Sequence, residues 1–152
     1  MINRNLIERL KKVNLKGKAL YYNFLDVIRK TDNENIISEW LSFLFDAKKC
    51  SSPIPLKLFC NFLGIQFSNS EVTIEREYTL GDSRRIDIII KSETAWIIIE
   101  NKINSMECNG QTVDYEDKIA SEICGQNISL YFVYLKPTYN KSNPTNKKFK
   151  VM

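Results

Sequence analysis

The stretch "RRIDIIIKSETAWIIIENKI", Arg84 to Ile103, constrains the fold more than any other part of the chain. It holds two runs of apolar β-formers separated by a Ser-Glu-Thr turn, which predicts a tight hairpin of buried strands. Such strands tolerate charge poorly, yet Asp87, Glu100 and Lys102 sit within or at the end of these runs. The charges must answer to something other than solubility.

Around the hairpin the period changes twice. Ile2, Leu6, Leu10 and Val13, then Leu20, Phe24, Val27 and Ile28, recur at helical spacing and predict two N-terminal helices, or one broken near Gly17. "TDNENIISEWLSFLFDAKK" opens with Thr31 three residues before Glu34, the pattern of a capping box, and continues as an amphipathic helix. After a loop with Pro53 and Pro55 comes the short helix "LKLFCNFL", stopped by Gly64. "EVTIEREYTL" alternates as a strand and Gly81-Asp82 turns it into the hairpin, giving an antiparallel meander. Beyond Asn109-Gly110, "QTVDYEDKIASEIC" reads as a helix ended by Gly125, and "ISLYFVYL" as a fourth, buried strand. The segment after Pro137, rich in Asn, Lys and Pro, is expected to be loosely ordered.

This order predicts one α/β domain with a mixed sheet. Its parts are an N-terminal helical extension at 1–30, a core at 31–135 and a basic C-terminal tail at 136–152. The length of 152 residues suffices for a core without disulfides or a structural metal. No apolar run approaches the ~18 residues of a membrane span and the N-terminus lacks a signal h-region, so no membrane partner is expected and the default address is the cytoplasm.

The absence of histidine removes Ser-His-Asp and Cys-His machinery and the H-E-x-x-H metalloproteases. Cys50, Cys60, Cys108 and Cys124 show no C-x-x-C spacing and are expected as reduced thiols, mostly in the core. The five glycines form no nucleotide-binding loop. Acid–base chemistry is left to carboxylates, lysine, tyrosine or metal-bound water. Charge is segregated: residues 1–30 carry eight Lys/Arg against two acids, and residues 136–152 carry five against none, flanking an acidic middle. Basic ends suit phosphate contacts, and equally suit simple solubility.

Glu100 and Lys102 share one strand face, about 6.6 Å apart at about 3.3 Å per residue. Asp87 lies on the preceding strand, where cross-strand pairing can bring it to them. Two carboxylates at a sheet edge suit Mg²⁺ or Mn²⁺, and a neighbouring lysine can stabilise a phosphate oxygen or orient water. The same residues also describe a strand-end ion pair beside a satisfied buried aspartate.

The conjunction of "ENIIS" (Glu34 to Ser38), "RIDIII", "WIIIENKI" and "GQTVDY" (Gly110 to Tyr115) resembles the PD-(D/E)XK nuclease superfamily. The likeness is to its prokaryotic branch with E-x-x-x-S, RIDI, IIIENKI and G-Q-x-x-x-Y motifs, and it covers about residues 31–135. It implies a restriction-endonuclease-like αβββαβ core, here with extra N-terminal helices. By position, Asp87 and Glu100 become metal ligands, Lys102 the catalytic lysine and Glu34 an accessory acid. Glu34 is preferred to Glu39 because Glu34, Ser38, Leu41 and Phe45 share a helical face. Gln111 and Tyr115 support the site or face substrate, whereas Arg85, with Arg84, either grips phosphate or faces solvent. Two departures stand out: Arg85-Ile86 replaces the proline that often precedes the aspartate, and "SSPIPL" stands where a His-Gly-rich loop is common.

The implied activity is Mg²⁺- or Mn²⁺-dependent phosphodiester hydrolysis, in DNA before RNA, with a homodimer left open. Two rivals stay open: a catalytically silent nucleic-acid-binding or defence-associated module on the same fold, and an interaction protein in which the trio is a structural ion cluster.

Overall fold

A computed structural model of the chain describes residues 29–65, 71–81 and 84–152. Two compact units divide the chain, residues 1–31 and 32–152, and all the elements below belong to the second. The helices expected before residue 29, and Asp82 of the expected turn, lie outside the described residues.

Helix α1 runs Glu34–Phe45 and α2 Ile54–Leu63; strands β1 (Thr73–Leu80), β2 (Arg84–Lys91) and β3 (Ala95–Asn101) follow, then α3 (Gln111–Glu122), β4 (Ser129–Leu135) and β5 (Phe149–Val151). Helix α2 ends where Gly64 takes φ +75°, a left-handed conformation that costs glycine little. The start of α1 corrects the capping-box reading. Its N-cap is Asn33, whose Oδ1 accepts the Ile36 N–H at 3.0 Å, and Glu34 is the first helical residue. Thr31 lies outside the helix because Asn33 offers the same acceptor two residues nearer the apolar face.

The five strands form one sheet in sequence order. The β1–β2 and β2–β3 pairs are antiparallel, β3–β4 and β4–β5 parallel, so α3 serves as the crossover between β3 and β4. Helices α1 and α2 pack on one face against Ile88, Ile90, Ile97, Ile99 and Val133, and α3 packs on the other against Ile89, Ile98, Phe132 and Tyr134. A sheet covered on both faces explains why the isoleucine runs are continuous.

Alternation breaks at one place. In β1, Ile74 belongs to the α1/α2 side but Tyr78 and Leu80 to the α3 side; in β2, Ile88 and Ile86 switch in the same way. The residues between are Glu77 and Asp87, flanked by the pairs Arg76↔Ile88 and Tyr78↔Ile86, and Glu77 has φ +49°. The hairpin therefore rolls over at Asp87, with backbone strain held at Glu77.

The C-terminal segment is ordered, contrary to the loose tail expected from its composition. Phe149, 4 % exposed, packs against Phe132 with ring centroids 5.0 Å apart and the rings tilted by 43°, and β5 adds an outer strand to β4. Burial of Phe149 and the side-chain hydrogen bonds of Asn140 and Asn146 outweigh the weak strand propensity of the segment. Phe149→Ala is expected to cost about 3 kcal/mol, read as a lower midpoint in urea unfolding at constant m-value.

Candidate active site

The β2–β3 ladder stops at Ile88↔Ile99, one step short of Asp87 and Glu100. Beyond that point the Asp87 carboxylate takes over, its Oδ2 accepting the Asn101 N–H at 2.7 Å. Because the strand rolls over at Asp87, this side chain reaches across to β3, to the end of the strand that carries Glu100. β3 stays attached on its other side, where Lys102 N–H donates to Leu135 O at 2.8 Å. The sheet thus opens between β2 and β3 at the end that holds the three charged residues.

Glu100 is fully buried, and its Oε1 lies 2.5 Å from Lys102 Nζ. The Lys102 ammonium is thus the charged partner of Oε1. Oε2 lies 3.0 Å from the Tyr115 hydroxyl, which also donates to Arg85 O and receives Gln111 Nε2–H at 2.5 Å. One phenolic proton cannot serve both Arg85 O and Glu100, and this weakens the support for an ionised Glu100. Burial first, and the Asp87 charge second, push the Glu100 carboxyl up to about 7, although Lys102 and Tyr115 oppose the shift. Burial likewise raises Asp87, with the Asn101 N–H and Lys102 acting against it. For Lys102 burial works to lower the value, but Glu100, Asp87 and Glu34 outweigh it and hold the ammonium above its ordinary range.

The arrangement fits a hard divalent cation. Asp87 and Glu100 offer carboxylate oxygens, and both carboxyls are raised chiefly by burial, a cost of carrying negative charge that a bound cation would offset. Among the described residues no group of three or more His, Cys, Asp or Glu is placed to hold a metal. Two carboxylates with the remaining positions left to water or phosphate is the usual Mg²⁺ pattern.

Glu34 is engaged elsewhere. Its Oε1 accepts the N–H groups of Ile103 (2.9 Å), Asn104 (3.1 Å) and Ser105 (3.0 Å) and the Ser105 hydroxyl (2.8 Å). Burial alone would raise this carboxyl, but these donors hold it below the ordinary value. Its charge still bears on Asp87 and Lys102. Gln111 and Tyr115, one turn apart on α3, both join the network, and Gln111 Oε1 is buried without a partner. Arg85 pairs with Glu77 at 3.1 Å and Arg84 with Asp114 at 2.7 Å. Of the two, Arg85 is the more exposed.

Asn101 escaped the sequence reading. Its Nδ2 donates to Ser38 Oγ at 3.1 Å and Glu34 O at 3.3 Å, which ties α1 to the strand carrying Glu100. The only sequence signal was its place inside "ENK" and that of Ser38 at the end of "ENIIS".

The sequence model of the PD-(D/E)XK nuclease superfamily matches residues 22–151. Neither the curated proteins nor the solved structures give a match. A match across nearly the whole chain joins a sheet flanked by helices on both faces and opened beside an aspartate, a glutamate and a lysine, and on these grounds the chain belongs to the PD-(D/E)XK nuclease superfamily.

Proposed function

We propose that the protein is a metal-dependent nuclease that hydrolyses phosphodiester bonds, in DNA before RNA, with Asp87 and Glu100 holding Mg²⁺ or Mn²⁺. The observation that carries this reading is the meeting of Asp87, Glu100 and Lys102 where β2 and β3 part. A bound divalent cation would supply charge neutralisation at the phosphate and a more acidic water. Lys102, cationic and mostly buried, is placed to stabilise a phosphate oxygen or to orient the attacking water once a cation relieves its contact with Glu100. Tyr115 and Gln111 orient Glu100, and Glu34 anchors the loop after β3 while adding negative charge nearby.

Incubation of the purified protein with single-stranded, duplex and branched DNA and RNA, with and without Mn²⁺, tests the reading. Cleavage is expected only with the cation and not in Asp87→Asn. The closed Glu100–Lys102 contact favours a second reading, a silent binding module on the same fold. Nucleic-acid binding without cleavage, together with a melting temperature indifferent to Mn²⁺, would favour that alternative.

A further inference from the structure

The loop after β3, residues 102–105, is held from two sides by side chains distant in sequence. Glu34 gathers its N–H groups, as described above. From the other side Asn140 Nδ2 donates to the carbonyl oxygens of Lys102 (3.2 Å), Ile103 (3.2 Å) and Ser105 (3.1 Å). Two amide hydrogens serve three acceptors, so one is shared. Carbonyl oxygens can only accept, and the orientation of the Asn140 amide follows from that.

Asn140 is itself fixed before it reaches the loop. Its Oδ1 accepts the Ser142 N–H at 2.8 Å and its N–H donates to Pro137 O at 3.0 Å. Lys136 Nζ donates to Asn140 O at 3.0 Å and Ser142 O at 2.6 Å. At 9 % exposure the side chain is largely shielded from water, so removing its donor would leave three loop carbonyls turned towards a space without hydrogen.

We propose that Asn140 is a positioning residue for Lys102. Lys102 stands one residue past the end of β3, with its backbone N–H fixed by Leu135 O and its carbonyl by Asn140. These two bonds set the direction from which its side chain approaches Glu100. The C-terminal segment thereby becomes part of the active site without touching substrate or metal. Only the kinetic consequence rests on the nuclease reading.

The test compares Asn140→Asp, which keeps the shape but puts an acceptor among the three carbonyls, with Asn140→Ala. In both, the ¹⁵Nζ resonance of the Lys102 ammonium is expected to shift or vanish, while the Ile89 and Ile98 amides keep their exchange protection. Turnover should fall about 10-fold or more, with KM within about 2-fold, because a displaced catalytic group costs rate more than binding. An unchanged Lys102 resonance overturns the proposal, as does parental turnover in both variants. If the parental protein cleaves no nucleic acid at all, the nuclease reading fails and the ammonium resonance alone decides the positioning role. Should Asn140→Asp not fold, Asn140→Ala carries the comparison.

Discussion

Replacing Lys102 with alanine is expected to lower turnover by about 10²-fold or more while leaving metal binding intact or tighter. The expectation follows from the different tasks of two neighbours on one strand. Lys102 supplies no ligand oxygen, and its ammonium, 2.5 Å from Glu100 Oε1, stands where it opposes an arriving cation. Removing it clears that opposition. It also removes one of the charges that keep the Glu100 carboxyl from rising further, so protons compete with the cation more strongly near neutrality. The metal titration therefore belongs at pH 8.5, above the parental Glu100 value of about 7, with cleavage assayed at saturating Mn²⁺. Parental turnover in Lys102→Ala would remove the lysine from the catalytic assignment. Loss of metal binding along with turnover would instead mark the trio as a structural ion cluster.

How far the sequence discloses this site depends on which interactions leave a periodic trace. Asp87, Glu100 and Lys102 were legible because charge inside an apolar run violates a local rule, and such violations gather at functional sites. The strands were legible for the same reason, since continuous isoleucine means burial on both faces. Other features left no such trace. The reversal of face at Glu77 and Asp87 depends on φ +49° at a glutamate, and no residue type announces that conformation. The α1 cap was misassigned because Thr31, Asp32 and Asn33 are all competent caps, and distant contacts select among them. Here Glu34 is held by the N–H groups of residues 103–105. Strand β5 has three residues, too few for alternation, and exists through Phe149 and its pairing with β4. Asn140 sits among asparagines, lysines and prolines that resemble any polar tail. What selects it is a set of three carbonyls 35 to 38 residues away in sequence.

Glu100→Gln is expected to abolish cleavage and the stabilisation that metal gives the parent. The folded chain binds the Glu100 proton more tightly than the unfolded chain, with a value of about 7 against 4.5. Its contribution to stability is therefore full below pH 4.5 and lost as pH rises through about 7. At about 1.36 kcal/mol per pH unit, the whole loss is on the order of 3 kcal/mol. Glutamine keeps the shape of the protonated acid and never ionises. In chelator, the stability of Glu100→Gln relative to the parent should therefore increase by about 2 kcal/mol between pH 5 and pH 8, measured by urea unfolding. Asp87, also raised, adds a slope of the same sign to both proteins. Mn²⁺ at pH 8 should stabilise only the parent, by about 2.7 kcal/mol at a hundred times its Kd, because the variant has lost an anionic ligand. A chelator-treated Glu100→Gln that stays less stable than the parent by one constant margin from pH 5 to pH 8 would show that the Glu100–Lys102 contact stabilises the fold as an ion pair. In that case the carboxylate is no poised ligand, and the metal-site reading falls with it.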